Sequence, residues 1–349
     1  MAIVFKIAPL FLLFVCASGC RKDNPGGDAS ATKELTVLFS PGATFSGSGY
    51  DDAILTAVME SVANNTRIKY RLLRPEDIEQ AGILTRKWRD SAKNNSALLL
   101  CGLQYGELAK SISPGRGRIL LLDSDLALGN SISTIQLKRY GGAYLAGAMC
   151  SGFEKMYIIK AFDGDRMMDT VANGIRAGYS DKSDKEAKMM VLSDSYRGTN
   201  MPDELFSYLY SYGTHGMDLD FTTILVPVCG ASRMGAYSFS NNYFVFSLGI
   251  GEDCSAFCDI LPFSLVYDIG SIVKEYISMW FEGKSWPVHQ DFGLSTGHVY
   301  IQYNSRYFVK ADKRLFLKSS PCLFTAEQYK TWEEEYFQPA LEMEVANAY

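Results

Sequence analysis

The chain of 349 residues is 47% hydrophobic and 21% charged, with a formal net charge of −5. That is enough apolar material for two cores of ordinary size, while the acidic, charge-mixed surface argues against nucleic acid as a partner. The three histidines, His215, His289 and His298, are scattered without ligand spacing, so neither a metal site nor a cofactor is expected.

Residues 1–19 carry one charge, Lys6, then an apolar run over 7–16 and a few small residues. This is a secretory signal layout, too short to span a bilayer as a mature helix. The stretch Ala17-Ser18-Gly19-Cys20 looks like a bacterial lipobox, where the cysteine thiol is lipidated and becomes the new N-terminus. An ordinary signal peptide, cut after a small residue with Cys20 incidental, is the alternative. Cys20 is thus the expected lipidation site, each buried CH₂ of its acyl chains contributing about 0.8 kcal/mol to anchoring. Losing residues 1–19 makes the net charge −6, and residues 20–33 read as a lipid-anchored, polar tether rich in Pro, Gly and Asp. The rest of the chain is expected outside the cytoplasm, facing the periplasm or the cell exterior. No later segment approaches the roughly 18 apolar residues of a membrane span.

From residue 34 short apolar runs predict strands over 35–39, 68–73, 97–101, 119–122 and 134–137, with helices over 51–64 and 75–93. A helix over 141–153 opens a second series, with strands at 156–159, 189–192, 223–228 and 244–248 and helices at 167–178, 202–212 and 232–239. Alternation of this length means right-handed βαβ units and parallel sheets covered on both faces. The fold class is therefore α/β, with two doubly wound parallel-sheet lobes. The expected division is 34–138 plus 262–292 for the N-terminal lobe and 139–261 plus 293–323 for the C-terminal lobe. A strand over 260–266, a helix over 269–282 and a strand pair around 297–309 complete them. Tyr329, Trp332, Tyr336 and Leu341 give 324–343 a helical pattern, so 324–349 is expected to pack outside as a helical extension. Cys101, Cys150 and Cys229 end apolar runs and suit small buried hydrophobes, whereas Cys254 and Cys258 are close enough for a local disulfide.

Lobes of this kind bind ligands at the carboxyl ends of their strands, so the cleft is the expected site. The glycines of 41–52 allow close backbone approach, and a helix begins near Asp51. Tyr50 beside Asp51 suits a flat ring bearing hydroxyls, and ring stacking would add about 0.5–1.5 kcal/mol. Asp51 or Asp52 equally suits a helix N-cap. After the strand at 244–248 comes Gly249-Ile250-Gly251-Glu252-Asp253, an acid positioned either to accept two vicinal hydroxyls or to face water in a turn. The turn Cys229-Gly230-Ala231-Ser232-Arg233-Met234-Gly235-Ala236 would point backbone N–H groups into the cleft, and lacks the Lys-Ser/Thr of a nucleotide-hydrolysing loop.

In their order along 35–303, several stretches carry a resemblance: Tyr140-Gly-Gly-Ala-Tyr-Leu-Ala-Gly-Ala-Met149, Gly174-Ile-Arg-Ala-Gly178, Gly249-Ile-Gly-Glu-Asp253, Leu261-Pro-Phe-Ser264 and Asp291-Phe-Gly-Leu-Ser-Thr-Gly-His-Val299. They resemble the basic membrane protein (BMP) family, substrate-binding lipoproteins of ABC transporters that include purine nucleoside receptors. The resemblance implies a type I periplasmic binding protein fold, a nucleoside- or sugar-like ligand and an ABC permease as partner. It also implies site residues: Tyr50 stacking, Asp51 where the family has a base-binding amide, and Asp253 and Asp123 holding hydroxyls. Gly230 would make a backbone contact, and Tyr267 stands where the family has a lysine. The family's second aromatic near the small-residue turn is replaced by Val228-Cys229-Gly230.

The expected function is a lipid-anchored, extracytoplasmic solute-binding protein that closes two lobes on a small polar ligand, for uptake or sensing, without catalysis. One alternative is a degenerate scaffold of the same fold with a protein or peptide partner. Another is an envelope hydrolase, for which no Gly-x-Ser-x-Gly elbow is present and the histidines lie outside the predicted cleft turns.

Overall fold

The computed structural model describes residues 32–349, apart from 42, 44, 46, 48, 130–131, 216–218, 313–323 and 348–349. The signal segment, Cys20 and all but the end of the tether lie outside the described residues.

The first series forms β1 (Lys33–Leu38), α1 (Tyr50–Ala63), β2 (Ile68–Leu73), α2 (Ile78–Ser91), β3 (Ser96–Leu100), α3 (Gly106–Lys110), β4 (Arg118–Leu122) and β5 (Ile132–Leu137). The second forms α4 (Tyr140–Met149), β6 (Lys155–Lys160), α5 (Arg166–Ser183), β7 (Lys188–Val191), α6 (Pro202–His215), β8 (Thr223–Val228), α7 (Arg233–Tyr243) and β9 (Phe246–Ser247). Then come β10 (Gly249–Gly251), β11 (Phe263–Tyr267), α8 (Ile269–Phe281), β12 (His289–Phe292), β13 (Val299–Tyr303), α9 (Ser305–Asp312) and α10 (Ala326–Ala346).

One parallel sheet runs in the order β12-β5-β4-β3-β1-β2 and a second in the order β7-β6-β8-β9. β3 and β4 are central, and Ala97–Leu100 and Ile119–Leu122 are buried on both faces. That is why these strands are continuous apolar runs rather than alternating ones. α1 and α8 cover one face of the first sheet through Ile54, Val58, Ile272 and Val273, while α2 packs Ala81 on the other. A small sheet, β10-β11-β13, in which β13 runs antiparallel to β11, stands beside the connections between the lobes. In the second lobe α4 and α5 approach so closely that a Cβ at Gly147 would lie 2.0 Å from the Ile175 carbonyl oxygen, and one at Gly178 2.0 Å from that of Tyr144.

Three expectations change. The strand predicted over 244–248 shortens to Phe246–Ser247 in the second sheet, and Gly249–Gly251, expected in the turn after it, form a strand of the small sheet. The predicted strand pair around 297–309 is one strand followed by a helix, and β13 finds its partner in β11. Asn304 ends the strand, because its Oδ1 accepts the N–H groups of Arg306 (3.1 Å) and Tyr307 (3.2 Å) and starts α9. Cys254 and Cys258 are buried free thiols in one turn, not a disulfide. Among the described residues, no helix is long and apolar enough to cross a membrane.

Candidate ligand cleft

A cavity of about 280 Å³ opens between the lobes, at the carboxyl ends of β1, β3, β8 and β11. Its size is near the lower end of pockets that take small ligands, roughly 300–1,000 Å³. The first lobe contributes Gly49–Asp51 at the start of α1 and Cys101–Gln104 after β3. The second contributes Asp165, Met167 and Met168 at the start of α5, Tyr196, Thr199, Val228–Ala231 and Arg233. Arg139 and Tyr267, beside two of the connections, form part of the wall.

The most buried charged feature at the cleft is an ion pair of Arg139, on its wall, with Asp123. Asp123 follows β4 and Arg139 follows β5, strands that lie side by side. Arg139 Nη1 and Nη2 donate to Asp123 Oδ1 (2.6 Å) and Oδ2 (3.0 Å), and Nη1 also donates to the Leu137 carbonyl (3.1 Å). Both side chains are almost fully buried. Burial opposes the guanidinium charge, but the Asp123 carboxylate outweighs it and moves the Arg139 pKa upward. The cation lies 5.3 Å from the ring centre of Tyr267 and 6.0 Å from that of Tyr50, so two phenols flank it. Burial raises both phenol pKa values, and for Tyr50 the nearby Asp123 charge adds to it.

Arg233 repeats the device in the second lobe. Its Nη1 donates to the Ile250 carbonyl at 2.9 Å, and Nη2 pairs with Glu252. The cysteines on the wall, Cys101 and Cys229, are buried, and burial pushes their thiols up, that of Cys229 to about 12. They therefore remain neutral and behave as small apolar groups.

The structure brings Tyr50, Asp51, Gly230 and Tyr267 together around the cavity. Asp51 is not the N-cap of α1: Gly49 holds that position, with φ 107°, which places Asp51 inside the first turn. Gly230 has φ 60° and turns the chain from β8 towards α7. Asp123 lines a smaller neighbouring cavity, and its carboxylate is taken by Arg139 rather than offered to hydroxyls. Asp253 does not line the cleft. It is exposed, and its Oδ1 accepts the Ser255 N–H at 2.9 Å, because Gly251, with φ 97°, turns the chain so that Glu252 meets Arg233.

Sequence reasoning missed both arginines, together with Asp165 and Tyr196. Asp165 caps α5, accepting the Met168 N–H at 2.9 Å. Tyr196 is 55% exposed at the cleft and packs on Phe162 with ring centres 4.7 Å apart. The signal for Arg233 was a single cation inside an otherwise small and apolar turn, and for Arg139 its position immediately before the helix at Tyr140. His289 joins Thr134 Oγ1 (2.8 Å) and Asp291 Oδ1 (3.0 Å), yet Thr134 is fully buried in β5 and lies outside the cavity wall.

Two doubly wound α/β lobes with a cleft at the carboxyl ends of their strands define the type I periplasmic binding protein fold. Solved structures share it. The chain is similar to an ABC transporter system solute-binding protein from Aeropyrum pernix K1, with a TM-score of 0.64 at 12% identity over 89% of this chain and 90% of that one. It is similar to a transcriptional activator of the comK gene from Bacillus halodurans, with a TM-score of 0.61 at 14% identity over 88% and 98% of the two chains. An ABC transporter solute-binding protein from Agrobacterium vitis, bound with alpha-D-tagatopyranose, gives 0.52 at 11% identity over 81% and 98%. No family model matches the chain, and neither does any curated protein sequence.

Proposed function

We propose that the protein is an extracytoplasmic solute-binding protein, tethered through lipidated Cys20, that closes its two lobes on a small polar ligand for ABC-type uptake or for sensing. The observation that carries this reading is the cavity itself, whose wall is built by strand ends of both lobes. A ligand seated there touches both lobes only when they are closed, so binding shifts the hinge equilibrium, and that shift is the signal a permease or sensor reads. The fold's occurrence in proteins described as ABC transporter solute-binding proteins, one of them with a bound hexose, supports it.

The ligand we favour has a ring and a few polar groups, of nucleoside or sugar size. Tyr50 and Tyr196 offer ring faces from opposite lobes, and Asp51 and Gly230 offer an acceptor and a backbone contact. The domain division that goes with this reading is the one drawn from the sequence, with 1–19 removed and 20–33 as the tether.

One observation favours a second reading, a scaffold of the same fold with a protein or peptide partner. Asp123 and Glu252, the acids nearest the expected hydroxyl positions, are each paired with an arginine. The test is thermal denaturation against a panel of nucleosides and monosaccharides, with native mass spectrometry of whatever co-purifies. A ligand present at a hundred times its Kd stabilises the protein by about 2.7 kcal/mol. No shift with any compound and an empty cleft by mass spectrometry would count against the first reading.

A further inference from the structure

The last helix belongs to neither large sheet, yet it grips the connections between the lobes. The chain passes between lobes at Lys138–Arg139, at Asp268 and at 293–298. These connections are tied to one another by backbone bonds, Lys138 N–H to the Phe292 carbonyl (2.7 Å) and Asp268 N–H to the His298 carbonyl (2.8 Å). α10 starts at a capping box, Thr325 with Gln328, and lies against α4, which comes directly after the first connection. A Cβ at Gly141 would sit 2.7 Å from the Ala340 carbonyl oxygen and 2.6 Å from Glu344 Cβ, so the contact is backbone-close.

Glu344 is the critical side chain. It is 4% exposed, its Oε2 accepts the Leu294 N–H at 2.9 Å, and its Oε1 accepts the Ser295 hydroxyl at 3.4 Å. A Cβ at Gly293 would meet the carboxylate at 2.5 Å, so the third connection has no side chain where the acid enters. Glu344 therefore packs its Cβ on the start of α4, just after the first connection, and sends its carboxylate to the third. Farther up the same helix, Glu333 accepts the Tyr303 hydroxyl of β13 at 2.5 Å.

Opening a two-lobed cleft concentrates its rotation in the few residues of the connections. Moving 293–298 relative to 138–141 strips Glu344 of its donors and leaves a buried carboxylate unsatisfied, which is strongly unfavourable. We infer that α10 is a hinge clamp: Glu344, bound to the third connection and packed at the start of α4 just after the first, biases the lobes towards the arrangement seen here. This rests on the two-lobed fold and not on which ligand is bound.

The test is the distance between spin labels at Glu107→Cys in the first lobe and Arg197→Cys in the second, measured on the ligand-free full chain. Both positions are exposed. Glu344→Leu is expected to broaden the distance distribution and move it away from the wild-type values, with about tenfold faster amide exchange at Leu294, while Glu344→Gln, which keeps a carbonyl acceptor, stays near the wild type. Circular dichroism reports whether each variant is folded. Faster exchange at Leu294 with unchanged label distances reduces the carboxylate to a local prop and overturns the inference. If Glu344→Leu does not fold, exchange in the wild type decides: the clamp requires 139–143, 293–299 and 340–347 to open together. Independent opening of the three segments refutes it.

Discussion

Replacing Arg139 with alanine removes the cation from the wall of the cleft and leaves Asp123 in place. The pair has two short charge-assisted bonds, 2.6 and 3.0 Å, and neither partner is open to solvent screening. Breaking a buried pair from one side costs about 3–5 kcal/mol, because the surviving charge stays buried without a partner. Loss of the two cation–ring contacts, at 5.3 and 6.0 Å, adds about 0.5–1 kcal/mol each. The expected destabilisation is therefore about 5 kcal/mol, which for a chain of this length corresponds to a fall in Tm of about 7 °C. Equilibrium urea unfolding measures it, provided the slope is unchanged. The double variant Arg139→Met with Asp123→Asn removes both charges and nearly keeps volume, and Asn tolerates the φ of 60° at position 123, so it should be about 2 kcal/mol more stable than the single variant. A single variant that costs less than about 1 kcal/mol, or a double variant as unstable as the single, would refute the argument. The double variant also separates architecture from recognition, since it should fold and yet bind any ligand of the cleft more weakly.

Gly178→Ala should destabilise by about 1–3 kcal/mol or more, because its methyl group would lie 2.0 Å from the Tyr144 carbonyl oxygen in the α4–α5 contact, and urea unfolding checks this. Tyr196→Ala should change the melting temperature little, since the ring is 55% exposed, while reducing the ligand-induced shift; equal shifts in variant and wild type would remove Tyr196 from the site. The Cys229 thiol has its folded pKa raised to about 12 by burial, from an ordinary value of 9.0. An acid raised in this way favours the folded state below its unfolded pKa and loses that contribution as pH rises through the folded value. Stability should accordingly decline between pH 9 and 12, and Cys229→Ser should flatten that part of the curve. Rapid alkylation of native Cys229 near neutral pH would contradict the buried, neutral thiol.

Much of the architecture is written locally. The apolar runs of β3 and β4 and the helical spacing of 51–64 are short-range patterns, and the structure reproduces them nearly residue for residue. The position of the cleft follows from the alternation of elements, so Tyr50, Asp51 and Gly230 could be named from the residues and Tyr267 from the resemblance, and the four are found together. The charge pairs could not. Asp123 and Arg139 meet because β4 and β5 are neighbours in the sheet and end at the same level. Glu252 rather than Asp253 meets Arg233, at a bend where Gly251 has φ 97°. Glu344 reaches Leu294 across fifty residues of sequence, a pairing without any local pattern. Sequence by itself determined the alternation of elements, because periodicity is a property of neighbouring residues. Tertiary structure alone decided which charges cancel and which face the cavity, because that depends on where distant strand ends and helix ends come to rest.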